Sequence, residues 1–193
     1  IKDYPEFAYD PEKARALLQE AGYDGEEIVY KLPLNYYLLS LEAAQAMQQM
    51  WKDAGLNVKL EPVENWAQVN DKDSTVHIRP WSNTHRMPDP LGSFVPQWGK
   101  DSWVQKNKQL ASRSWNAPEE FNRLHETIVA ATDMEVRQDA YRKALDIWTD
   151  EAPGTMLYNP LETYALKKDI GWRPVSLYYM DFRPDNLSFG AAE

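Results

Sequence analysis

Cysteine is missing from all 193 residues. Disulfide bonds, thiolate nucleophiles and cysteine-held zinc are therefore excluded. A surplus of positive charge is missing too: 21 Lys and Arg stand against 30 Asp and Glu, a formal net charge of −9. Nucleic acid is set aside as a partner on that ground, because phosphate recognition needs a basic surface. No apolar run approaches the roughly 18 residues of a membrane-spanning helix. The Gly-x-Ser-x-Gly elbow, the phosphate-binding P-loop and the Gly-x-Gly-x-x-Gly fingerprint do not occur, and the chemistries they signal have no motif here. Histidine is reduced to His77, His85 and His125. His85 and Asp89 stand four apart, but Pro88 between them spoils helical spacing and no third ligand is apparent, so no metal is expected. No cofactor is expected either.

What is present is an ordinary globular mixture, 43% hydrophobic and 26% charged, long enough for one sizeable core. Eight tryptophans and eleven tyrosines are the unusual entries in it. Most are expected in cores, while a surplus of indole rings also suits a site that stacks on flat ligand faces.

Residues 10–22 carry a helix with both ends written in. Asp10 is the N-cap, Pro11 sits where no N–H is needed, and Glu12 places negative charge in the first turn. Ala14, Leu17, Leu18 and Ala21 share one face and Gly22 supplies a left-handed stop. Glu27–Leu34 reads as a strand. A helix over 41–54, capped by Ser40 and ended by Gly55, carries Leu41, Ala44, Met47, Met50, Trp51 and Ala54, and Asn57–Val63 reads as the next strand. A β-α-β unit of this length predicts parallel strands and a right-handed crossover. A short helix over 64–72 and a third strand over Thr75–Arg79 follow. Periodicity then vanishes from 80 to 116, a length of loop that is usually functional or disordered in a compact domain, and its aromatic content argues against disorder.

Order resumes with Asn116-Ala-Pro-Glu-Glu120, a capping-box-like start to a helix through about Ala131. Asp133 caps a longer helix over 134–151 bearing Val136, Ala140, Tyr141, Ala144, Leu145 and Trp148. Thr155–Asn159 and Glu162–Leu166 are strand candidates, and Gly171–Phe189 is aromatic and extended. His77 reads as a satisfied packing residue and His125-Glu126 as a solvated helix face. The fold class is α/β.

Several of these segments, in this order, resemble the family 5 solute-binding proteins of ABC importers. The likeness rests on Tyr9-Asp-Pro-Glu-Lys-Ala-Arg-Ala-Leu-Leu-Gln-Glu-Ala-Gly-Tyr23, on Ala43 to Val58, on Phe121, Thr132-Asp133, Arg137 and Tyr141-Arg-Lys-Ala144, and on Asp150-Glu-Ala-Pro153 with Met156-Leu-Tyr158. The resemblance implies a periplasmic-binding-protein-like lobe, a mixed β-sheet flanked by helices, in a periplasmic or extracellular protein. Such a protein closes on its ligand around a hinge, performs no chemistry on it, and docks on membrane permease subunits. Family members are usually more than twice this length. The resemblance therefore implies that residues 1–170 form the second lobe, with a first lobe missing. Residues 171–193 are expected to return towards that first lobe.

The loop Arg79–Leu91 is the expected site, because open α/β sheets hold ligands beyond their strand ends. Peptide-binding relatives carry Trp-x-x-Asp-Tyr-x-Asp-Pro here, the first Asp pairing with the peptide's α-amino group. This chain keeps Trp81 and Asp89-Pro90 but has Thr84 three after the Trp. An ammonium group in a closed cleft needs a carboxylate partner. Asn83, Thr84, His85 and Arg86 beside an indole suit a neutral, polyhydroxylated ligand instead. An oligosaccharide is therefore the expected ligand, with a peptide as the alternative. Trp98 and Trp103 are candidate cleft residues below Trp81, Trp115 is a further one, and Asp89 is expected to cap a helical turn. A small acidic glycoside-acting enzyme using two carboxylates is the rival from another class, though nothing singles out a pair.

Overall fold

The computed structural model describes residues 9–83, 87, 89–106, 115–159, 161–175 and 180–190. The chain divides into two compact units, residues 1–82 with 106–116, and residues 83–105 with 117–193.

The first unit begins with α1 (Pro11–Glu20), where the Asp10 carboxylate accepts the Lys13 N–H at 2.9 Å. Its far end closes as predicted: Tyr23 N–H donates to Leu18 O and Gly22 N–H to Gln19 O, with Gly22 at φ +70°. Strand β1 (Ile28–Pro33) and strand β2 (Val58–Val63) pair in parallel from Ile28 opposite Val58 to Pro33 opposite Val63, joined by α2 (Ser40–Ala54). The core is Tyr30, Leu32, Ala44 and Val58, with Leu41, Met47, Trp51 and Ile78 packed against it. Pro62 fits β2 because that strand is hydrogen-bonded along one side only among the described residues. Arg15 ties α1 to α2 by donating from Nε and Nη2 to the Asp53 carbonyl at 3.3 and 3.0 Å.

Three expectations here need correction. Ser40 does not cap α2; it is the first helical residue and buried, and Leu39 occupies the cap position at φ +59° with no side-chain hydrogen bond. The helix over 64–72 shrinks to one turn, α3 (Trp66–Val69), held by reciprocal Asn65 and Gln68 caps. The third strand shrinks to a single parallel bridge between Tyr30 and Ile78. The His77 imidazole explains this: its Nδ1 accepts the Val29 N–H at 2.8 Å, where a ladder would place a carbonyl. His77 is thus satisfied, as expected.

In the second unit, a 3-10 turn (Pro90–Gly92) leads to α4 (Phe94–Trp98) and α5 (Trp103–Lys106), so the described residues of the featureless stretch 80–116 include short helical pieces. Helices α6 (Glu119–Ala130) and α7 (Met134–Glu151) pack on each other, and Phe94, Phe121, Leu124, Ile128, Ala140, Ala144 and Trp148 are buried there. Asp133 caps α7 as predicted, accepting from Glu135 and Val136 N–H. Asn116 does not cap α6: Pro118, at φ −54° and ψ 147°, holds the cap position without a side-chain bond. His125 is not on a solvated face but 3% exposed, because Phe94 covers it with rings stacked 5.0 Å apart.

The strand candidates 155–159 and 162–166 form no regular structure over their described residues. Met156, Leu157, Tyr158 and Leu166 stay exposed, and a strand pattern without a neighbour to complete its ladder gains no hydrogen bonds. The aromatic terminal segment instead pairs with itself: β3 (Ile170–Trp172) runs antiparallel to β4 (Leu187–Phe189). Trp172 Nε1 donates to Asp181 O at 2.8 Å. No helix among the described residues is long and apolar enough to cross a membrane.

Candidate functional site

The first unit delivers aromatic side chains just past the C-terminal ends of its parallel backbone segments. Tyr36 and Tyr37 follow β1, Trp66 follows β2, and Trp81 follows the Ile78 bridge. They meet as a ladder. Tyr37 lies 5.2 Å from Tyr36, Tyr36 stands edge-on to Trp66 at 4.8 Å, and Trp66 edge-on to Trp81 at 5.7 Å. The Arg79 guanidinium caps the last ring, 4.4 Å from its centroid, a cation held over the electron-rich indole face. The Tyr36 hydroxyl fixes the backbone at this end, accepting the Ser82 N–H at 2.9 Å and sharing a 2.6 Å hydrogen bond with Ser82 Oγ.

Edge-to-face pairs contribute about 0.5–1.5 kcal/mol each beyond their burial, which makes the ladder stiff. It is nonetheless open to solvent: Trp81 is 47% exposed, and Tyr36, Tyr37 and Trp66 are half-buried. A rigid, half-covered row of rings at strand ends is suited to taking up the flat or apolar face of a ligand.

In the second unit the remaining tryptophans behave differently. Trp98 stands edge-on to Trp148 at 5.4 Å, and its carbonyl accepts Gln105 Nε2 at 2.6 Å. A Cβ at Gly154 would come 3.0 Å from the Trp98 ring. Trp98 therefore serves packing in this unit. Trp103 opens α5 at 36% exposed, and Asn83 is exposed. Thr84, His85 and Arg86 lie outside the described residues. Trp115, which belongs to the first unit, is half-buried.

Asp89 does what the sequence predicts. Its Oδ1 accepts the Leu91 N–H at 2.9 Å and caps the 3-10 turn. The same oxygen also accepts Arg137 Nη2 at 2.8 Å, while Arg137 Nε reaches Ile128 O at 3.0 Å. The Leu91 N–H first, and Arg137 after it, hold the Asp89 carboxyl below its usual range. Among the described residues no group of three or more His, Asp or Glu is placed to hold a metal.

The ladder contains Trp81, which sequence reasoning picked out, together with Tyr36, Tyr37 and Trp66, which it did not. The signal was there: each lies within three residues of the end of a strand that the hydrophobic pattern had located, and ligands gather beyond such ends.

A family model for "Bacterial extracellular solute-binding proteins, family 5 Middle" matches residues 1–105. A probable peptide ABC transporter periplasmic-binding protein of Sinorhizobium fredii is 26% identical over 175 residues, covering 89% of this chain and 32% of the relative. Heme-binding protein A of Haemophilus influenzae is 30% identical over 160 residues, covering 79% of this chain and 27% of the relative. Among solved structures, the ABC transporter substrate-binding protein CtaP of Listeria monocytogenes superposes with a TM-score of 0.63 at 20% identity, over 79% of this chain and 30% of that one. This last likeness shows the fold: an α/β lobe of the periplasmic-binding-protein kind. The chain spans about a third of the length of the curated relatives it matches.

Proposed function

The chain belongs to the family 5 bacterial extracellular solute-binding proteins, and on that premise we propose that it is part of the substrate-binding component of an ABC importer, capturing a peptide. The observation that carries the binding role is the half-open ladder Tyr37–Tyr36–Trp66–Trp81 at the strand ends. Peptide replaces oligosaccharide as the favoured ligand. The relative aligned with 89% of this chain is named for peptide transport, and the aromatic ladder serves apolar side chains as well as sugar rings. Heme, from the name of the second relative, is the competing ligand.

Trp81 is the leading contact residue, with Asn83, Thr84, His85 and Arg86 following it and Trp103 as a lesser candidate. Trp98 ranks last, since it packs on Trp148. Because Thr84 stands where peptide-binding relatives carry Asp, the peptide's α-amino group takes its carboxylate partner from elsewhere in the protein. Two carboxylates of the second unit have structural roles: Asp89 caps and pairs with Arg137, and Asp133 caps α7. Residues 1–170 act as one lobe of a two-lobed receptor that docks on membrane permease subunits. Residues 171–193 lead back towards the other lobe; the exposed Phe182 and Phe189 of the terminal hairpin support that course.

The test is thermal shift of the full-length receptor with di- and tripeptides, heme and neutral oligosaccharides in parallel. Ligand at about 100 times its Kd adds roughly 2.7 kcal/mol to stability. Stabilisation by peptides supports the reading. Stabilisation by heme or sugars without peptides overturns the peptide assignment, and product formation from a glycoside overturns the binding role.

A further inference from the structure

The second unit contains a histidine that the ligand site does not use. His125 is 3% exposed in the middle of α6. Its ring is stacked on Phe94 of α4 at 5.0 Å and lies 4.3 Å from Phe121 of its own helix. Phe94 in turn stands edge-on to Tyr141 of α7 at 5.1 Å. His125 Nδ1 is 3.1 Å from the Phe121 carbonyl, while Nε2 is buried with no hydrogen-bond partner among the described residues. A Cβ at Gly99, at the end of α4, would come 2.6 Å from the Val95 carbonyl oxygen and 3.3 Å from His125 Cδ2, so the chain turns away from α4 directly against this ring.

We propose that His125 makes the seating of α4 on α6 and α7 acid-labile, so that acidification loosens the α4 segment from the helix pair. The arrangement fits only the neutral imidazole. Protonation turns Nε2 into a charged donor inside an aromatic enclosure, and a buried charge without a partner is strongly unfavourable.

The ionisable groups on the surrounding elements whose partners the structure gives are engaged elsewhere, Lys143 and Asp139 of α7 with each other among them. Glu126, next on α6, pairs with Lys100 beyond α4, where Asp101 also acts on Lys100. Glu119 and Glu120 at the start of α6 pair with Arg123. Asp89 ahead of α4 pairs with Arg137 of α7. Burial holds the Tyr141 phenol in its neutral form by raising its pKa. Burial likewise lowers the His125 pKa, with the Phe121 carbonyl acting weakly against it.

The sign follows from that lowered value. The unfolded chain takes up the proton near pH 6.5 and the folded chain only further down. The contribution is fully present above about pH 6.5, and is lost as pH falls from there through the lower folded value. Over that window one proton lowers the folded-to-unfolded ratio by up to about tenfold per pH unit.

The test is a pH titration of the full chain followed by the histidine ring resonances and the Trp98 indole signal, with His125 assigned by its loss in His125→Gln. The expected result is a His125 midpoint below the ordinary histidine value, with the Trp98 signal changing at the same midpoint. Denaturation midpoints should fall between pH 7 and 5 in the native chain and lose that slope in His125→Phe. If His125→Phe does not fold, His125→Gln should lose the slope in the same way. A His125 midpoint near 6.5, a Trp98 signal that ignores it, or an unchanged pH slope in the folded variant would overturn the proposal.

Discussion

The two units use aromatic rings in opposite ways. In the first, the apolar core is aliphatic with Tyr30 at its centre, and the ladder Tyr37–Tyr36–Trp66–Trp81 is left half open at the strand ends. In the second, Phe94, Phe121, His125 and Trp148 are sealed between helices and share the core with Leu124, Ile128, Ala140 and Ala144. The difference traces to the backbone. Parallel strands satisfy their hydrogen bonds side by side and end together, so the residues after each end crowd into one place without having to close it. Two helices joined by three residues bury whatever lies between them. Ring content alone therefore says nothing about a binding role; position relative to strand ends does.

That contrast is broken most severely by Phe121→Ala. The residue is fully buried, and emptying such a site costs about 3–5 kcal/mol. Chemical denaturation should register that loss, while the Trp66 and Trp81 indole signals of the first unit keep their native positions. A ladder that collapses along with Phe121 would mean the two units are one cooperative body.

Next in size is Arg137→Ala, which strips Asp89 of its cation and leaves the Ile128 carbonyl without its donor. Losing hydrogen bonds to a charged partner costs about 2 kcal/mol. The Asp89 pKa is lowered in the fold, so its contribution is present above the unfolded value of about 4 and is lost as pH falls through the lower folded one. The gap between the native chain and Arg137→Ala should accordingly narrow in acid. A gap that holds constant down to pH 2 would show that the pair contributes nothing through charge.

Smaller still is Asp133→Ala. Removing the carboxylate that caps α7 should lower stability by about 1 kcal/mol, measurable as a shift in the denaturation midpoint with an unchanged slope. Asp10→Ala at α1 should cost less than that, because α1 buries no residue and its end frays at little cost.

Local rules made much of this legible in advance. The caps at Asp10 and Asp133, the glycine stops at Gly22 and Gly55, and the parallel β-α-β unit all follow from residues a few positions apart. The features that escaped depend on residues far apart in sequence. His125 reads as solvated because it stands beside Glu126 in an amphipathic helix, and only the arrival of Phe94 from 31 positions earlier buries it. The His77 side chain replaces a ladder carbonyl for Val29, across 48 positions. Met156–Tyr158 has strand composition, but a strand is a property of two segments and no described segment pairs with it. In the ladder, Trp81 was visible from its loop, whereas Tyr36, Tyr37 and Trp66 became candidates only once the strands were placed side by side.

The central claim is that the exposed ladder binds ligand while the sealed rings hold the fold, and one titration tests it directly. Calorimetric titration of the full-length receptor with a di- and tripeptide mixture would be run on the native protein, on Trp81→Ala and on Trp98→Phe, with a melting curve for each. The account predicts at least about a tenfold loss of affinity, or roughly 1.4 kcal/mol, in Trp81→Ala with little change in melting temperature, and a lowered melting temperature with retained affinity in Trp98→Phe. Equal affinity in Trp81→Ala and the native protein, or a large melting shift in Trp81→Ala alone, would contradict it.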